Sequence, residues 1–111
     1  MCRKRQAFVM SWKSYLYFEW DEHKRLRNLE IHLIDFEDAA RVFDAPYLKM
    51  RSDRGEETRF VAIGVLKGIE IAVVYTERQE ACRIISARRA RVNERTEYHE
   101  ALKGSASERP D

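Results

Sequence analysis

Little in this chain is suited to covalent or metal crosslinking. Its 111 residues include two cysteines, Cys2 and Cys82. One such pair makes no disulfide framework, and neither sits in metal-ligand spacing, so a reducing cytoplasm is expected, with no metal and no cofactor. Long apolar runs are missing too. The stretch Ala7 to Met10, behind the basic start Met1-Cys2-Arg3-Lys4-Arg5, is far too short for a signal segment or a membrane span. Nor does one sign of charge prevail: 21 basic residues face 19 acidic ones, a net of +2 that predicts no partner by itself. No internal repeat occurs.

What is present describes one folded domain. The chain is 44% hydrophobic, 11% aromatic and 36% charged, a globular composition with a heavily charged surface. A domain this size buries only about two-thirds of its unfolded surface, so a partner that covers more of it would matter. Charge is unevenly placed. Between Arg83 and Arg95 five arginines (Arg83, Arg88, Arg89, Arg91 and Arg95) meet one acid, Glu94. Such a patch either attracts phosphate or is a solvated helix face.

Patterning divides the chain into an N-terminal extension over 1–16, a domain over 17–103 and a small, polar, disordered tail over 104–111. Tyr17-Phe18-Glu19-Trp20 reads as a strand. Asp21 suits a helix N-cap, and Leu26, Leu29 and Leu33 at i, i+3, i+7 form an apolar face. Asp35 caps a second helix with Phe36, Ala39, Ala40 and Phe43 on one side, ended by Pro46. The period then becomes two. Strands follow at Tyr47 to Met50, Phe60 to Leu66, Ile69 to Thr76 and Cys82 to Ala87, with a hairpin turn at Lys67-Gly68. Strict alternation puts Arg83 and Arg88 on opposite faces of the last strand. Residues Arg89 to Leu102 form a polar helix that should dock loosely. The fold class is α+β: two N-terminal helices and a C-terminal helix on one face of an antiparallel sheet of about four strands. The opposite face, partly open with a basic rim, would suit RNA.

These residues also carry a resemblance. Phe18-Glu19-Trp20-Asp21, with Lys24, Asn28 and His32 following at four-residue steps, resembles the opening signature of the BrnT toxin family. Phe36 to Pro46 continues it, as do Arg59-Phe60 with Ile63-Gly64, Val73 to Arg78, Arg83 to Arg88, and the pair Glu94 and Tyr98. The resemblance spans residues 18 to 98. It implies a RelE-like ribonuclease fold, RNA cleavage that halts translation, and a BrnA-like antitoxin that joins the toxin in repressing their operon, with operator DNA contacted only through the antitoxin. The chain departs from the family at Ile31-His32-Leu33, where Lys-His-Gly is usual. Losing the glycine should alter how the helix ends. The stretch before Tyr17 also lies outside the pattern, and Met10 is an alternative start.

RNA can be cut without metal when its 2′-hydroxyl attacks the neighbouring phosphate. That chemistry needs a base, an acid and cations around the charged phosphorane. Histidine suits proton transfer, and arginine's planar fork matches phosphate oxygens. Catalytic roles therefore fall to His32, Lys24, Arg83, Glu94 and Tyr98, and RNA contacts to Arg88, Arg89, Arg91 and Asn28. A blander assignment stands beside each. Asn28 and His32 would bind local backbone, Lys24 would be solvated, and Glu94 and Tyr98 would be an ordinary helical pair. Phe18 and Trp20 read as core anchors, His23 and His99 as surface residues. Asp53, Glu56 and Glu57 read as a solvated loop rather than a metal site. Two further readings remain: a catalytically weakened BrnT-like domain acting only as antitoxin-binding co-repressor, and an unrelated RNA-binding domain. The antitoxin would cover the sheet near Arg83 and bury or displace the 89–102 helix.

Overall fold

Alternating apolar residues build a six-stranded sheet rather than the expected four. The computed structural model describes residues 8–108, with side chains described over 9–103. Along the chain run β1 (Phe8–Ser11), β2 (Tyr17–Trp20), α1 (Glu22–His32), α2 (Phe36–Ala39), a 3-10 helix (Ala40–Asp44), β3 (Tyr47–Arg51), β4 (Phe60–Leu66), β5 (Ile69–Arg78), β6 (Ala81–Arg89) and α3 (Val92–Glu108). Strand order is β1-β3-β4-β5-β6-β2. Every pairing is antiparallel except β2 with β6, which is parallel. The two additional positions come from the N-terminal region. Residues 8–11, expected in an extension, form one edge strand, and β2 closes the other edge. Tyr15 between them is buried, with its hydroxyl donating to Glu77. At the other end α3 continues to Glu108, past the expected start of a tail at Gly104, while 109–111 lie outside the described residues.

The helices occupy both faces of the sheet, not one. Phe36, Ala39, Val42 and Phe43 pack onto Tyr47, Ala62, Ile71, Val73, Tyr75, Ile84 and Ala87 on the first face, with Phe18 and Trp20 against the margin. Tyr75 is fully buried there, ringed by Tyr15, Phe43 and Phe60. The second face carries Leu48, Val61, Ile63 and Ala72, covered by Ala90, Tyr98 and Ala101 from the α3 region. Near-continuous apolar runs in β4 and β5 make both faces apolar in the middle of the sheet, so each needs a cover. The polar α3 is tightly tied at its start rather than loosely docked. Glu94 and Tyr98 are buried, and Glu94 receives both guanidinium arms of Arg88 at 2.8 and 2.9 Å.

One bulge changes which way the basic strand points. Val74 pairs with Ser86 and Tyr75 with Ile84, so Ile85 is left without a partner across the ladder. A single unpaired residue reverses the alternation beyond it. Ile84 and Ala87 therefore share the first face, although three residues apart. Arg83, opposite Thr76, and Arg88, opposite Ala72, lie together on the second face. The expectation that these two arginines face opposite ways is corrected by that extra residue.

Candidate active site

Helix α1 is held by polar contacts, not by its leucines. Asp21 caps it, accepting from the Lys24 amide at 3.1 Å. Arg25 bridges Glu22 and Asp35, tying the helix to the start of α2. Leu26, Leu29 and Leu33, the expected core stripe, are 50%, 37% and 82% exposed. The buried position is Asn28. Strand β2 pairs with β6 only as far as Trp20 and Ile84, which leaves the next part of β6 without a neighbouring strand on that side. Asn28 takes that place. Its Nδ2 donates to the Ala87 carbonyl at 2.9 Å, and its Oδ1 accepts from the Ala87 amide at 3.1 Å. Nδ2 also donates to the Ile34 carbonyl at 2.9 Å, closing the turn after the helix. The side chain thus imitates a strand edge and seats α1 against β6. Expected to contact RNA, Asn28 here bonds backbone and lines the depression described next.

The seat fixes a shallow open depression over the β6 edge, lined by Lys24, Arg27, Asn28, Ile31, His32 and Ile85. Four-residue steps place Lys24, Asn28 and His32 on one side of the helix, as the spacing requires. Lys24 and His32 are exposed on either side of the buried Asn28, and the bulged Ile85 supplies the apolar floor. Arg27 joins them. Sequence reasoning missed it, although its i+3 spacing from Lys24 was a usable signal.

Leu33 follows His32 with φ 61° and ψ 29°, and its amide donates to the Leu29 carbonyl. This is the left-handed helix stop that glycine usually supplies. The departure from glycine therefore leaves the helix ending unchanged, contrary to expectation, and a branched side chain carries the strain. Beyond it, His32 borders a second cavity of about 310 Å³ that also includes Leu33, Ile34 and Arg89. His32 thus stands between a cationic depression and an apolar cavity.

The remaining expected residues lie elsewhere. Arg83 bonds Glu19 Oε1 at 3.1 Å across β6 and β2, and lines neither depression. Glu94 lines neither depression. It accepts from Arg88 and, as a capping group, from the Arg91 amide at 2.8 Å. Burial pushes its carboxyl up, but the bonds from Arg88 and Arg91 outweigh that and hold it below the usual range. Tyr98 packs in the second core, and burial raises its hydroxyl pKa. Arg88 braces α3, and Arg91 is exposed at that helix's start. His23 is exposed, while His99 meets Glu70 at 2.8 Å. Asp53 and Glu57 pair with Arg51 and Arg59. No helix among the described residues is long and apolar enough to cross a membrane.

A search of curated proteins returns no match. A family model described as the ribonuclease toxin BrnT of type II toxin–antitoxin systems matches residues 20–94, more than half of the chain. That span runs from Trp20, before α1, through β6 to Glu94, and so includes both depressions and the brace of α3. The chain belongs to the BrnT family of ribonuclease toxins.

Proposed function

We propose that the chain is a metal-independent endoribonuclease whose cleavage centre is the depression shared by His32, Lys24 and Arg27. The observation that carries this is their convergence on one surface beside an edge that Asn28 holds rigid. A phosphodiester laid there meets two exposed cations, and His32 stands where a proton must move. The 2′-hydroxyl oxygen bonds to phosphorus as the bond to O5′ breaks, leaving a 2′,3′-cyclic phosphate and a 5′-hydroxyl. His32 either accepts the 2′-hydroxyl proton or donates one to O5′, and water in the open depression serves the other position. Such proton transfer contributes about 10²- to 10⁴-fold.

The preserved helix ending at Leu33 favours this reading over a weakened co-repressor, because the backbone that carries His32 keeps the geometry glycine would give. Arg83 and Arg88 share the second face and would contact RNA only beyond the cleavage centre. Cleavage of cellular RNA in the cytoplasm would arrest translation. A BrnA-like antitoxin is the proposed partner, joining the chain in operon repression. Exposed Ile31, which lines the depression, and exposed Leu33 next to His32 suit an apolar antitoxin segment that would occlude the depression. Displacing α3 instead would require separating Arg88 from Glu94 and exposing Tyr98. Induced expression in a bacterium tests the reading. Growth arrest with RNA decay, lost in His32→Ala, is expected; arrest undiminished in that variant contradicts it.

A further inference from the structure

The cavity on the far side of His32 has no part in the chemistry above, yet it is the more enclosed of the two. Ile34, Leu66, Ile69 and Ile71 give it an apolar wall. Its rim is basic. Arg89, paired with Ile71 across the ladder, projects on the first face and lines the opening, and Lys67 stands in the β4–β5 turn. A single carboxylate, Asp38, lines it as well, 3.9 Å from the Lys67 ammonium. At about 310 Å³ it lies at the small end of ligand pockets.

We propose that this cavity is a nucleobase subsite that selects which nucleotide sits next to the cleaved phosphate. The proposal rests on the reading that the chain acts on RNA. An unpaired base suits the space because its faces are apolar and its edges polar. Bases in single-stranded RNA are held by stacking on apolar, imidazole or guanidinium surfaces and by hydrogen bonds to their edges. Here the isoleucines and Leu66 would meet the base's faces, and Arg89 lies in the same lining. The sugar-phosphate on either side of the base stays at the rim, where Lys67 and Arg89 offer positive charge and His32 a ring nitrogen for hydrogen bonding. His32 joins both depressions, so one strand can cross it with a base in the cavity and the following phosphate at Lys24 and Arg27.

Asp38 sets the preference. A carboxylate accepts hydrogen bonds and donates none, so it favours bases whose edge carries an amino group over uracil, whose single N3–H donor lies between two carbonyls. One charge-assisted bond at a half-exposed carboxylate corresponds to about five-fold in affinity.

The test titrates the full chain with AMP, GMP, CMP and UMP, following backbone amide shifts by NMR. Shifts at residues 33–34, 66–71 and 89 are expected, with UMP about five-fold weaker. Ile69→Trp, which fills the opening with a good strand former, should remove the response. Lys67→Asn and Arg89→Ala should each weaken it while leaving the cavity walls intact. Asp38→Asn should level the four nucleotides and change which base flanks the cut in mapped RNA products. Shifts elsewhere, no response at millimolar nucleotide, or a response indifferent to Ile69→Trp would overturn the subsite. So would cavity residues that respond to the antitoxin and not to nucleotides. If the wild-type chain cuts no RNA, the cleavage reading fails alone and the nucleotide titration still decides the cavity. If it cuts RNA with no nucleotide response, the subsite fails alone.

Discussion

Replacing Asn28 by Asp changes one atom's identity at the junction between α1 and β6. The shape is preserved, and Oδ1 still accepts from the Ala87 amide. Both donors vanish, so the carbonyls of Ile34 and Ala87 face an oxygen instead of an amide. Both carbonyls are buried, and the Ala87 groups point away from β5 because they meet Asn28 on the opposite side. Each unpaired buried acceptor costs about 1–3 kcal/mol, so the pair costs about 3 kcal/mol after some access by water. That is a large share of the roughly 5–15 kcal/mol expected for a domain. The loss should depend on pH. A carboxyl packed against two carbonyls prefers its protonated form, which regains one donor, so its folded pKa rises above the unfolded value of about 3.9. Destabilisation is then smaller below about pH 4, where one of the two carbonyls regains a donor, and grows as pH rises, because only the unfolded chain ionises readily. Urea unfolding followed by tryptophan fluorescence at pH 7 and near pH 4 measures both effects. A variant as stable as wild type at pH 7, or a loss identical at both pH values, would refute the strand-edge role of Asn28.

Leu33→Gly should raise stability by about 1 kcal/mol, read as a higher urea midpoint, because glycine adopts φ 61° without the Cβ penalty. Arg88→Met should cost about 3 kcal/mol, since it strands the buried Glu94 carboxylate; calorimetry would show it. Glu94, held below its ordinary pKa of 4.5, contributes stability that is present above that value and fades as pH falls. Glu94→Gln should therefore flatten acid unfolding below about pH 4.5, measured by circular dichroism. At Gly64 an added Cβ would come within 2.7 Å of Val42 Cγ1. Gly64→Ala should destabilise by about 1–3 kcal/mol in chemical unfolding, and Val42→Ala in the same chain should recover part of that.

Much of this architecture was legible because it is local. Asp21 and Asp35 cap the helices the spacing assigns to them. Lys67 and Gly68, at φ 53° and 81°, make the expected hairpin turn. Phe36, Ala39 and Phe43 form the buried side of the second helical segment. What was not legible depends on partners distant in sequence. Leu26, Leu29 and Leu33 have the spacing of a core stripe, but α1 lies along a sheet edge where Asn28 supplies the contact. Periodicity shows which residues share a side, not which side is covered. Nor does any local pattern mark the bulge at Ile85, which arises from how β5 and β6 align. Glu94 and Tyr98 carried a chemically plausible spacing, and only the fold shows Arg88 and the second core engaging them. The grouping of Lys24 with His32 survived because one helix carries both.

The central claim is tested most directly by incubating the purified chain with single-stranded RNA in excess chelator and identifying the ends of the products. The account predicts fragments bearing 2′,3′-cyclic phosphate and 5′-hydroxyl, formed at a rate that falls at least about 100-fold in His32→Ala. Because His32 is exposed, that variant should keep its unfolding curve. Cleavage that requires a divalent cation, or that persists at full rate without the His32 imidazole, would contradict it.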